Sequence, residues 1–384
     1  MSAAGVFEPS RPGGAHRRLD RLAARLAEAE FRRLVGRADV RVPRWSAAHI
    51  AALLVLSGFV GLVALGVWSG ARDFPGIGLA GGAVALAASY QLRPRFGNLP
   101  DGVATLAHDE APELRALVAL IAARLGTRAP DMICLGEAYA AEAFHVGPAR
   151  RRVLVLGLPL WLSLSAQQRV ALLGHELGHF VNGDPRRGVL IQPVYGALRA
   201  GRWLAAPLRL PFAVLVQRGG QRAEYYADAL AARVGGSRAA VELIDLGVLG
   251  DTVMTLLTRD ARAGVPVSAW PTTASTALRH ASEQLAVRRE RAFRREVSLN
   301  AEHPPSRLRA RLIEARPQLS AEVLLGEDSN AAIDAELARL AARCVRGLSA
   351  SERLERQHLD LDLGPARSRI GNGVATLRPE DRLA

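Results

Sequence analysis

The stretch ALLGHELGHFVNGD covers Ala171–Asp184, and its core, HELGH, sets His175 and His179 four residues apart with Glu176 beside the first. Just upstream, Ser165 and Gln168 have the form of a capping box, so the run reads as a helix that starts there. On a helix a spacing of four is one turn plus a fraction. Both imidazoles therefore leave the same face and can hold one ion. Glu176 lies on the edge that faces an open coordination position, where a carboxylate can take a proton from water and pass it to a leaving amine. Gly174 and Gly178 flank the histidines. Each costs a helix about 1 kcal/mol against Ala, so close approach of a neighbouring helix or of substrate is the reason to expect.

A metal site of this kind needs a third ligand. The segment RAEYYADALAARVGG (222–236) offers Glu224 and, four residues on, Asp228 on the same helical face. Glu224 would complete a set of two histidines and one glutamate, leaving the fourth position for water. Asp228 could then hydrogen-bond a ligand imidazole from behind and fix its tautomer. The competing reading is two solvated carboxylates on a surface helix. The Tyr225-Tyr226 pair and the alanine-rich continuation favour a packed helix instead.

The chain has 384 residues, a hydrophobic share of 49% and a formal net charge of +13. All 50 basic residues are arginine. With abundant Ala, Gly and Leu, that bias fits a GC-rich bacterial genome better than a binding patch. No basic stripe interleaved with aromatics appears, which excludes nucleic acid as the main partner. The two cysteines, Cys134 and Cys344, are far apart and suit a reducing compartment rather than a disulfide framework or a thiolate metal site.

A membrane is the partner that composition favours. Ser46–Val67 reads SAAHIAALLVLSGFVGLVALGV without a formal charge, and GIGLAGGAVALAASYQL (76–92) is again uncharged. A bilayer core needs about 20 apolar residues per helix, so these predict two spans joined by a tight hairpin. A buried hairpin in a soluble core is the alternative. Trp45, Trp68 and Tyr90 fall where aromatic belts sit. Arg41 and Arg44 precede the first span and Arg93 and Arg95 follow the second, which sets both ends, and everything after residue 95, in the cytoplasm.

Four regions follow: a basic N-terminal arm (1–45), the transmembrane hairpin (46–95), a catalytic domain (96–326), and a C-terminal helix (330–346) with a loose tail to residue 384. Within the arm, residues 16–37 repeat Leu, Ala and Phe at helical spacing, consistent with an amphipathic helix at a membrane surface or a solvated arm. In the domain, 110–126 reads as an amphipathic helix closed by Gly126, and 141–147 and 151–162 as strands. Residues 188–217 are apolar but broken by Arg199, Arg202, Arg209 and prolines, and read as an interfacial segment or a lid rather than a clean span. Helices are expected near 219–235, 238–259, 278–297 and 303–315.

Taken in order, PEL (112–114), the AF-x-x-G strand Ala143–Gly147, HELGH with NGD (182–184), EYYAD (224–228), and HPP (303–305) with Arg309 downstream resemble the integral-membrane zinc metallopeptidases that include HtpX-like heat-shock proteases and CAAX prenyl endopeptidases. The resemblance implies a mainly helical peptidase domain with a small β-sheet. It implies one Zn²⁺ per chain on His175, His179 and Glu224, with Glu176 as general base and Asp228 behind the ligands. His303 would stabilise the oxyanion. The polypeptide substrate would lie along the 141–147 strand, beside Glu142, Ala143 and Phe144. Glu142 departs from the family pattern, which has Asn there. The function expected is cleavage of misfolded or membrane-associated proteins at the cytoplasmic face of a bacterial inner membrane. The contrasting possibility is a membrane scaffold or regulator with a structural zinc site, for which no fourth protein ligand is evident. Neither substrate nor oligomeric state is legible in the residues.

Overall fold

A computed structural model describes residues 14–37, 40–41, 45–100, 103–181, 188–297 and 303–342. The NGD at 182–184 and the tail from 343 lie outside the described residues. The fold is mostly helical with a small mixed sheet of four strands.

Helix α1 (Gly14–Val35) precedes two apolar helices, α2 (Ala47–Arg72) and α3 (Ile77–Gln91). α2 is 26 residues long, and its most apolar window is only 11% buried, so it is not the core helix of a soluble domain. It is the one described helix long and apolar enough to cross a membrane. α3, at 15 residues, is shorter. The two pack closely where a Cβ on Gly82 would stand 2.6 Å from the Gly66 carbonyl oxygen. Their turn is fastened by the Asp73 carboxylate, which accepts the Gly78 N–H at 2.7 Å.

The half of the chain that carries HELGH starts with β1 (Ala104–Thr105), α4 (Pro112–Leu125), β2 (Met132–Gly136), β3 (Ala141–Val146) and β4 (Arg151–Gly157). The sheet order is β1-β2-β4-β3; β2 and β4 are parallel and the other pairings antiparallel. β3 is thus an edge strand. The strand expected over 151–162 stops at Gly157, and the buried run Leu158–Ser163 forms helix α5 instead. A short apolar run does not separate strand from buried helix. Pro159 decides it here, because its missing N–H cannot extend a ladder but suits a first helical turn.

α6 (Ala166–Val181) carries HELGH, and Gln168 accepts the Ser165 backbone N–H at 3.0 Å, one half of the expected box. α7 (Ile191–Ala200) and α8 (Arg202–Gly235) follow. α8 runs 34 residues without a break through Pro207 and Pro211, where the sequence predicts a helix only from 219. Each proline forfeits one intrahelical bond near the helix start, and Phe212 and Val216 offset this by packing with α7 residues and with Ala48 and Ala52 of α2. The apolar 188–217 segment is therefore two helices seated beside α2.

α9 (Ser237–Val248), α10 (Gly250–Arg262), α11 (Trp270–Ala281), α12 (Leu285–Glu296), α13 (Ser306–Glu314) and α14 (residues 327–342) complete the domain. The single helices expected over 238–259 and 278–297 are each split in two, at Leu249 and at 282–284. α1 does not lie free: Ala23, Ala27, Phe31 and Leu34 are buried with Tyr225, Phe293, Leu308 and Leu312. Amphipathic spacing specifies that an apolar stripe must be covered, not by what. Here protein covers it, so the reading of this stripe as a membrane-surface face is corrected.

The most extensive packing is between α6 and α8. A Cβ on Gly174 would stand 3.1 Å from the Cα of Ala231, one on Gly178 3.2 Å from the Cα of Ala227, and one on Gly235 2.7 Å from the Cα of Ala171. The neighbouring helix, rather than substrate, accounts for the two glycines that flank the histidines. Gly235→Ala should gain up to about 1 kcal/mol in helix propensity yet lose about 1–3 kcal/mol to overpacking against backbone that cannot swing aside. Thermal unfolding of the purified protein should then show a lower midpoint than wild type. A raised midpoint would mean that the helices have room to spare.

Candidate metal centre

α6 projects His175 and His179 toward α8, and α8 returns Glu224 and Asp228. The His175 Nε2 and His179 Nε2 atoms are 3.4 Å apart, and their rings stand edge to face. Glu224, with no exposed surface, puts Oε2 3.4 Å from His175 Nε2 and Oε1 3.6 Å from His179 Nε2. One donor atom from each of the three lies within 4.8 Å of the others.

These spacings fit an ion. Ligand atoms about 2.0–2.1 Å from a tetrahedral centre stand about 3.3–3.4 Å from each other. Charge points the same way. Glu176, Glu224 and Asp228 are all buried, and Arg309 is the guanidinium set among them. With the imidazoles neutral, as metal ligation requires, three carboxylates against one guanidinium leave two negative charges inside the protein, which a divalent cation would neutralise.

Behind the donors runs a chain of hydrogen bonds. Asp228 Oδ1 lies 3.0 Å from His175 Nδ1. Arg309, on α13, donates from Nε to Asp228 Oδ2 at 2.8 Å and from Nη2 to Oδ1 at 2.7 Å. Burial would raise the Asp228 pKa, but the charge and bidentate hydrogen bonds of Arg309 prevail and hold it at about 2. Burial likewise disfavours a charged His175, yet the bonds to Asp228 and Glu224 push its pKa up to about 9, so positive charge is favoured at this point.

His303, expected near the oxyanion, lines the cleft and sets its Nδ1 2.8 Å from Glu224 Oε2. It holds the carboxylate from the solvent side, half exposed. Of the expected substrate-strand residues, Ala143 is fully buried in the core, Glu142 is exposed and Phe144 half-buried. The cleft is lined instead by Tyr139, Ala140 and Ala141. The His145 ring packs edge-on against Phe180 at 5.3 Å, which seats β3 on α6.

The cleft encloses about 630 Å³, with His175, Glu176, His303 and Arg309 on its wall. Sequence reasoning supplied Arg309 only as a downstream arginine after HPP, without its partner. The far wall, built from α5, α9 and α10, carried no motif at all.

A buried imidazole–carboxylate donor set that opens on a cleft is the hallmark of metal-dependent hydrolases. Residues 108–316, just over half of the chain, match the model of peptidase family M48, and the chain belongs to that family of metallopeptidases. The match begins shortly before α4 and ends just after α13, so it takes in every element that carries the donor set. No curated protein and no solved structure gives a significant match.

Removing Arg309 would leave Asp228 buried without its counter-charge. Arg309→Met should weaken binding of a divalent cation about 10–100-fold, as loss of an outer-shell partner does, read by chelator competition on protein whose circular dichroism shows it folded. Asp228→Asn should fall in the same range. Unchanged affinity in both would show that the relay does not orient His175.

Proposed function

We propose that this chain is a membrane-anchored zinc endopeptidase that cleaves misfolded or membrane-associated polypeptides at the cytoplasmic face of a bacterial inner membrane. The observation that carries the reading is the cluster of three buried donor atoms behind a cleft whose wall presents His175 and Glu176. His175, His179 and Glu224 would hold zinc, which when bound lowers the pKa of a water and polarises the scissile carbonyl.

The remaining steps belong to the protein. Glu176, one residue after the first ligand, takes the proton from the attacking water and returns it to the leaving nitrogen. Arg309 and Asp228 fix the His175 tautomer through Nδ1, which leaves Nε2 as the atom that would ligate the ion. His303 restrains Glu224 through Nδ1. The edge strand β3 offers backbone to an extended peptide, with Ala141 on the cleft.

Anchoring rests on α2, with α3 packed against it as the second, shorter limb of the hairpin. α3 at about 22 Å falls short of a hydrocarbon core of about 30 Å, so the return crossing includes the flanking residues near Tyr90 and Arg93. The exposed Ile50, Leu54, Val60, Val67, Trp68, Ile77 and Val84 are the surface that lipid would cover. The many-span chamber associated with prenyl-protein processing has no counterpart among the described helices, which favours polypeptide turnover.

Glu176→Gln keeps a side chain of the same shape but cannot accept the proton. The purified variant should retain wild-type zinc and cleave casein about 10²–10⁴-fold more slowly. Chelation should abolish the wild-type activity and added zinc restore it. Equal activity in the two proteins would defeat the assignment of the base. A C-terminal tag should be digested in inside-out vesicles and protected in intact spheroplasts; the reverse pattern would place the site on the other face.

A further inference from the structure

Glu224 and Arg309 share a neighbour that lies outside the family match. Tyr225, the residue after Glu224, is 1% exposed, and Leu308, the residue before Arg309, is buried to the same degree. Both belong to one apolar cluster with Phe293, Val297 and Leu312, which α1 closes with Ala23, Ala27, Phe31 and Leu34. α1 (Gly14–Val35) precedes the matched residues 108–316. An element separate from the family domain is thus seated directly behind the metal centre.

The seat follows α13 along its length. Arg307 Nη2 reaches Glu28 at 3.3 Å, Arg311 stands over the Phe31 ring at 5.2 Å, and Arg316 Nη2 donates to the Arg37 carbonyl at 3.1 Å. Just past α1, Val40 is buried in the same cluster, and its carbonyl accepts from Arg222 Nε at 3.4 Å. The N-terminal segment therefore holds α8 at Arg222 and at Tyr225, on either side of Glu224.

This contact bears on the ion through Arg309. Its two hydrogen bonds to Asp228, at 2.8 and 2.7 Å, require that α13 keep both its distance and its direction. α13 has only nine residues, too few to be stable without tertiary packing. Ala310 and Ile313 pack with residues of α8 and α9, and Leu308 and Leu312 pack with α1. Charge attraction tolerates slack, whereas a gap of about 0.5–1 Å in an apolar contact forfeits a quarter to a half of its dispersion energy. The α1 side of α13 is therefore a packed backing for the Arg309–Asp228 pair.

We propose that Phe31 and Leu34 are positioning residues of the metal centre. By seating α1 they keep Arg309 on Asp228 and Glu224 beside the two histidines, and unseating α1 loosens the bound ion. The inference rests on the metal-site reading above. Residues 41–46 alone separate Val40 from α2, so the helix that backs the site and the apolar helix of the hairpin are consecutive in the chain.

The test uses the full-length protein in detergent. Zn²⁺ affinity is read by chelator competition, and site geometry by the visible spectrum of the Co²⁺-substituted protein. Phe31→Ala and Leu34→Ala should each weaken Zn²⁺ about tenfold, the lower end of what loss of an outer-shell partner costs, and should alter the Co²⁺ bands. Phe31→Leu, which refills much of the cluster, should recover most of the affinity. Arg25→Gln, on the exposed face of α1, should bind as wild type. In an Arg309→Met background Phe31→Ala should cost much less than in wild type, because coupled residues are not additive. Circular dichroism shows which variants are folded, and Leu34→Val keeps the comparison open if alanine is not tolerated. A lowered melting temperature with unchanged Zn²⁺ affinity, or an undiminished loss in the Arg309→Met background, would overturn the positioning role and leave the metal site intact. Wild type that binds neither ion would overturn both.

Discussion

Everything in the catalytic half follows from two helices that touch backbone to backbone. α6 and α8 meet through Gly174, Gly178 and Gly235, set against Ala231, Ala227 and Ala171. Ala227 immediately precedes Asp228 and lies three residues after Glu224, so the contact that admits glycine alone on α6 also fixes where the two carboxylates sit. Any larger side chain at these points would part the helices. The donor atoms, now 3.4–3.6 Å apart, would part with them.

That closeness creates an electrostatic problem, and the surrounding elements are arranged around its solution. Carboxylates enclosed between two helices need positive partners, because an unpaired buried charge costs several kcal/mol. Arg309 comes from α13, and α13 is braced in turn by α1. Phe31 and Leu34 pack with Leu308 and Leu312, and Arg307 reaches Glu28 at 3.3 Å. The first described helix of the chain thus buttresses the element that compensates the metal centre. At its other end, α8 packs beside α2 through Phe212 and Val216. One continuous helix therefore joins the site to the apolar hairpin, and this makes α8's unbroken course through two prolines consequential.

The donor set was legible because its chemistry is local. HELGH and EYYAD each place their groups one helical turn apart, and helical geometry does the rest. The close approach of a neighbour was legible too, since two glycines in a helix need a reason. What could not be read was anything decided by tertiary packing. The run 151–162 was ambiguous between strand and buried helix until the sheet ended at Gly157. β2, at five residues, is too short to show a period, and α11 was not anticipated although its apolar spacing is as regular as that of α9. The apolar stripe of α1 required a cover and did not say which. The partner of Arg309 lies 81 residues away on another helix, a distance at which sequence spacing carries no geometric information.

Glu142 illustrates how register limits what a substitution does. Successive residues of a strand face opposite sides. Ala143 is sealed in the core and Ala141 lines the cleft, so both belong to the inner face of β3. Glu142, between them, belongs to the outer face and is exposed. To bring its carboxylate into the cleft, the strand would have to slip by one residue. That would turn Ala141 and Ala143 outward and break the pairing of Ala143 with Leu154. The Glu142 carboxylate therefore acts on whatever approaches the sheet edge, through a charge that salt screens within about 8–10 Å. It adds no fourth carboxylate to the buried set, and the chemistry at His175, His179 and Glu224 is independent of it.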